Sequence, residues 1–116
     1  MLQNFAKYAG LAQGALGILG AAVPGIGSAI GAGTGGNIFN ILSGAGLSYL
    51  GFKGSEGATN AAVPIISGLN ALVGILGAAG VNNIAGMELN TSTVSTIISL
   101  VIGAWGLIST FMKKKA

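Results

Sequence analysis

Glu56 and Glu88 are the only carboxylate side chains in the chain, and no aspartate, histidine or cysteine accompanies them. General acid and base work needs two titratable groups within reach of one substrate atom. These two glutamates fall in separate polar turns, expected on opposite sides of a membrane. Neither sits in the middle of an apolar run, as a proton-relay carboxylate would. Ser95, Ser99 and Ser109 have hydroxyls but no base to activate them. They are expected to back-bond to helix carbonyls or to line a helix contact. Gly31–Gly36 (GAGTGG) fits G-x-G-x-x-G, and Glu56 follows at the interval of a ribose-binding acid. A dinucleotide site also needs a strand before the glycines and a βαβ unit around them, and neither pattern is present. Gly46–Ser55 (GLSYLGFKGS) imitates a phosphate loop, but Phe52 precedes Lys53, Gly54 separates it from Ser55, and no aspartate could hold magnesium. Without cysteine or histidine there is no thiolate or imidazole metal site and no disulfide. The chain reads as a non-enzyme with no catalytic, cofactor or metal residues and no small-molecule substrate.

The elements that carry these residues are extraordinarily apolar. Five lysines and two glutamates are the only charges among 116 residues, 6% against about a quarter in a soluble domain. Residues 8–52, 57–87 and 89–112 contain no charge at all. Mean hydropathy is +0.81. Runs of about 18 or more apolar residues suit a hydrocarbon core of roughly 30 Å. The expected fold is all-α, built of glycine-rich hydrophobic helices, two helical hairpins in all, either embedded in a membrane or buried in a larger assembly. Net charge is +3, and three of the lysines sit together at the end. One short basic tail neutralises few phosphates, which argues against a nucleic-acid partner. Met1–Ala6 has no cation, so the N-terminus is a poor secretory signal, and the chain is expected to be complete from Met1.

Helices are expected over 2–20, 37–52, 61–81 and 94–112. Pro24-Gly25 marks a break or kink. Residues 25–36 form a helix only if packing holds it, and Gly35-Gly36-Asn37 reads as a turn. Residues 53–60 are the polar linker between a glycine-rich half (1–52) and a transmembrane hairpin (61–116). Asn60 is the expected N-cap of the third helix, with Pro64 in its first turn. Asn90–Thr93 supplies caps for the last helix, and Asn82–Ser92 is the turn of the second hairpin. With membrane crossings near 11–33, 37–52, 61–81 and 94–112, Lys7, Lys53 and Lys113–Lys115 share one side. That side is expected to be cytoplasmic or interior.

Glycine is the other signal, at 22 residues. Ala6, Gly10 and Gly14 recur every four positions, as do Gly27, Gly31 and Gly35. Small residues at that spacing form a groove on one helix face, where a second backbone can approach closely. These lines are expected to pack copies of the chain into a homo-oligomer. Gly103 and Gly106 flank Trp105 and are expected to serve ordinary helix packing. Lys113, Lys114 and Lys115 read as a membrane anchor at the headgroups.

Glu88–Lys115 (ELNTSTVSTIISLVIGAWGLISTFMKKK) resembles the C-terminal segment of small phage and prophage membrane proteins, including holin-like ones. The shared pattern is a polar turn, one apolar helix with internal glycine and a cationic tail, and it covers under a quarter of the chain. The glycine-rich first half is similar to hydrophobic virion proteins that meet a membrane. The resemblance implies virion architecture, genome delivery or membrane permeabilisation. Three roles follow as expectations: a self-associating structural subunit of a phage or viral particle, a holin-like pore former, and a hydrophobic helical filament subunit. The expected partners are a lipid bilayer, further copies of the chain and other virion proteins.

Overall fold

The computed structural model describes residues 2–31, 33–81, 83–84, 87–88 and 93–115, and the side chains of all but 83, 84, 87, 88 and 113–115. Five helices follow in order: α1 (Leu2–Ala22), α2 (Pro24–Ile30), α3 (Gly33–Phe52), α4 (Glu56–Ala78) and α5 (Thr93–Lys115). Between α4 and α5, β1 (Asn83–Ile84) pairs antiparallel with β2 (Met87–Glu88). The fold is all-α apart from this two-residue ladder.

Helix boundaries follow local chemistry. A residue before proline is driven out of the α region. Val23 is accordingly extended (φ −117°, ψ 103°), and Pro24 opens α2, where a missing N–H costs nothing. Gly31 closes α2 in the left-handed conformation (φ 67°), its amide bonded to the Gly27 carbonyl at 2.8 Å. The chain therefore turns at Gly31 and resumes as helix at Gly33. Three sequence expectations change here. Residues 25–36 are not one helix, Gly35-Gly36-Asn37 lies inside α3, and no single helix crosses over 11–33. Left-handed glycines at 31 and 33 provide the turn, so Gly35 and Gly36 are free to be helical.

The linker expected over 53–60 shortens to 53–55. Ser55 is extended, and its Oγ accepts from the Ala58 amide at 3.1 Å, so Ser55 rather than Asn60 caps α4. Glu56 in the first turn suits the positive helix end. Pro64 consequently falls inside the helix. At the far end Gly80 (φ 89°) stops α4, with Val81 N–H bonded to Leu76 O and Gly80 N–H to Gly77 O. The caps expected at Asn90, Thr91 and Ser92 lie outside the described residues.

α1 packs along α3, with α2 in the connection, and α4 packs along α5. These are the two expected hairpins. They meet through α1, which contacts all four other helices. An apolar cluster of Leu2, Phe5, Ala9, Leu47, Val63 and Ile102 fills the junction. The longest dimension is 40 Å, comparable to the roughly 40–45 Å of a bilayer with its headgroups.

Candidate functional site

The side chains are sorted in the reverse of a water-soluble bundle. On α4 the buried stripe is Thr59, Val63, Ser67, Asn70 and Gly74, at helical spacings of three and four. On α5 the buried positions include Ser95, Ser99, Gly103, Gly106 and Ser109. Facing outward are Ile65, Leu69, Leu72 and Ile75 from α4, and Val94, Ile97, Val101 and Ile108 from α5. α1 and α3 repeat the arrangement, with Leu11, Ile18, Ile38 and Leu42 exposed. A soluble helix hides its large apolar residues and exposes its polar ones. Here small and polar residues fill much of the interior beside the apolar junction cluster, while most large aliphatic side chains face outward. α4 and α5 are each long and apolar enough to cross a membrane. α1 and α3 are of similar length but carry more glycine and amide side chains.

At the heart of the bundle three amides converge from three helices. The Gln13 Nε2 of α1 donates to Asn40 Oδ1 of α3 at 3.1 Å and to Asn70 Oδ1 of α4 at 2.7 Å. Asn70 Nδ2 donates to the Ile66 carbonyl at 3.1 Å, which fixes the orientation of that amide. Gln13 and Asn70 are fully buried. Gln13 Oε1 and, one turn from Asn70, Ser67 Oγ are buried without a hydrogen-bond partner. The cluster ties the first hairpin to the second. No local pattern identifies this cluster in the sequence; the available signal is an amide in line with glycines or serines one turn away, a signal that Asn37 and Asn60 share without joining the cluster.

Every small residue expected to pack copies of the chain makes a contact within the chain or caps a helix. Ala6 and Gly10 are buried on the α1 face toward α3, and a Cβ on Gly10 would meet Ser48 N. Gly14 lies over Gly44, whose own added Cβ would strike the Gly14 backbone. Gly27 faces the Gly20 carbonyl, Gly31 is the left-handed cap, and Gly35 is buried on α3. A Cβ at Gly103 would lie 2.5 Å from Ala71 N, and one at Gly106 would strike Ser67 Oγ. These small residues thus serve close contacts and turns within the chain. Along the outer α1/α3 seam, Gly10, Leu11, Gly14, Ile18, Gly44 and Ala45 line an open apolar groove of about 370 Å³.

The serines divide by role. Ser95 Oγ donates across the bundle to the Gly31 carbonyl at 3.1 Å. Thr59 and Thr110 back-bond to the carbonyls four residues earlier, at 2.8 and 2.9 Å. The Gly31–Gly36 motif runs from the cap of α2 into the first turn of α3, and the phosphate-loop imitation runs through the end of α3. Neither has the strand that a nucleotide site requires. Glu56 is in the first turn of α4 and Glu88 in β2.

Lysine placement is collective. The α1/α3 pairing puts Lys7 beside Gly51, and Lys53 follows α3. The Lys7 ammonium stands 5.2 Å from the Phe52 ring centroid. α5 runs antiparallel to α4, with Gly106 at Ser67, Gly103 at Ala71 and Leu100 at Gly74. Its C-terminal residues, Lys113, Lys114 and Lys115, therefore share the end of the bundle with Lys7 and Lys53. No family model matches the chain, and neither a curated protein nor a solved structure is detectably similar to it.

Proposed function

We propose that this protein is an integral-membrane helical bundle with a structural, self-associating role in a phage or viral particle or in its genome-delivery apparatus. The observation that carries the membrane part is the inverted sorting of side chains, aliphatic outside and small or polar inside. Exposed Leu, Ile and Val in such numbers are costly in water and cost nothing against lipid tails. The long axis and the two membrane-length helices agree with that solvent. A structural role is supported by the chemistry: the buried amides bond to each other and the bonded hydroxyls to backbone carbonyls, and the sequence supplies no histidine, aspartate or cysteine to pair with them. Contacts between copies fall to the outer aliphatic surface and the open α1/α3 seam, since the inner glycine faces already pack within the chain. The lysine end faces the cytoplasm or the particle interior.

The holin-like role is the second reading, favoured by one observation. The polar residues form an internal stripe that could line a pore if the two hairpins separated. Expression of the full chain alone in bacteria distinguishes the two. A structural subunit accumulates in the membrane fraction, resists carbonate extraction and leaves the membrane potential intact. Collapse of the potential at a set time selects the holin-like role. Release by carbonate as a large particle, stable without detergent, selects the filament subunit and removes the membrane assignment.

A further inference from the structure

The aromatic residues are as unevenly distributed as the lysines. Of seven in the chain, five are exposed: Tyr8, Tyr49, Phe52, Trp105 and Phe111. Helix pairing sets their level. Lys7 lies opposite Gly51 and Gly10 opposite Ser48, so Tyr8 and Tyr49 occupy neighbouring turns of α1 and α3. Trp105 meets Phe5 edge-on, with centroids 5.0 Å apart, while 45% of the residue stays exposed. Phe111 lies on α5 between Trp105 and the terminal lysines. Tyr8, Tyr49, Phe52 and Phe111 therefore belong to the lysine end of the bundle, and Trp105, near the middle of α5, lies beneath them against Phe5. Every other exposed large hydrophobic residue is aliphatic or methionine.

Aromatic rings gather at the headgroup level, where one face is apolar and the other wet. Lysines extend their stems along such a surface and leave the ammonium among the phosphates. Five lysines face a single glutamate, Glu56, at this end, while Glu88 is at the other. We infer that the lysine and aromatic end of the bundle is a collar that binds anionic phospholipid headgroups and enriches them around the protein. This rests on the membrane reading above. The opposite end, built from α2, the Gly31 turn and the β1–β2 ladder, has no lysine and no such preference.

The chain supplies its own probe, since Trp105 is its only tryptophan and lies beneath the collar, at the depth of the acyl chains of the lipids that the collar gathers. The full-length protein is reconstituted in mixed phosphatidylcholine and phosphatidylglycerol vesicles, and flotation is checked first. Quenching of Trp105 is then compared between vesicles in which only the anionic lipid is brominated and vesicles in which only the neutral lipid is. Each surface lysine is worth about a five-fold change in partitioning onto anionic lipid. Shared among several neighbouring lipids, this gives an apparent enrichment of about two-fold or more. The enrichment falls toward random mixing as salt shortens the screening length. It also disappears when Lys7, Lys53, Lys113, Lys114 and Lys115 are all changed to Gln, while flotation persists. Equal quenching by both lipids overturns the collar and leaves the membrane reading standing. Enrichment that survives in the all-Gln variant overturns it as well. So does selective loss on adding inorganic phosphate at matched ionic strength, which identifies a free-phosphate site. Failure to float removes the membrane reading and the collar together.

Discussion

At the residue scale, stability depends on side chains that are absent. Gly106 lets α5 lie on Ser67 and on the Phe5 ring, and its added Cβ would come within 2.7 Å of Phe5 Cζ. Gly106→Ala is expected to cost about 1–3 kcal/mol, the usual range for overpacking a fitted contact. Gly68→Ala is the control on the partner helix, since nothing lies within 4 Å of its Cβ position. It should be neutral or stabilising by up to about 1 kcal/mol, as alanine is the better helix former. Unfolding of the two variants in detergent micelles, followed by far-UV circular dichroism, gives the comparison. The amide cluster has its own signature. In a double-mutant cycle, Gln13→Leu and Asn70→Leu should couple by about 1 kcal/mol, in the range of interhelical hydrogen bonds in membranes. A coupling near zero would mean that the 2.7 Å bond between them adds nothing to folding.

At the element scale, turns and caps decide where the hairpins fold. Gly31 holds a left-handed conformation that a β-branched side chain resists. Its carbonyl also receives the Ser95 hydroxyl, so the turn of the first hairpin is fastened to the start of α5. Gly31→Val should destabilise by about 1–3 kcal/mol through strain, whereas Gly25→Ala, with open space around its Cβ position, should not. Ser55→Ala removes the bond to the Ala58 amide and should cost about 1 kcal/mol. Asn60→Ala should cost nothing measurable, because that residue is exposed within the helix. Thermal unfolding of the two variants tests which residue caps α4: a larger loss for Asn60→Ala would restore the longer linker.

At the scale of the whole molecule, the proposed membrane role puts the lysine end and the α2 end on opposite membrane faces. The natural chain has no cysteine, so single-cysteine variants report without background. Gly57→Cys, at the lysine end, and Ala79→Cys, at the other, replace exposed residues. In sealed vesicles of one orientation, an impermeant maleimide added outside should label one variant and spare the other until detergent is added. Equal labelling of both from outside would place α4 along the surface and not across the membrane.

The sequence by itself determined the helical class, the hairpin plan and the presence of helices long and apolar enough to cross a membrane. Those depend on charge-free length, on proline and glycine breaks, and on polar turns, which are local properties. It also located the break at Pro24, because proline acts on its immediate neighbour. It misplaced the next turn by four residues, since several glycines in a row look alike until packing selects the one that turns left-handed. It misplaced the α4 cap because Ser55 and Asn60 are equally good candidates when read alone. Only the tertiary structure decided which faces turn inward. Hydropathy patterning normally reveals the inward face, but here both faces are apolar on average and the interior differs in size and hydrogen bonding. The Gln13–Asn40–Asn70 cluster joins residues 27 and 57 positions apart, a distance no local pattern spans. The glycine lines were legible as contact faces. Their partner, a helix of the same chain, is fixed only by how the two hairpins close.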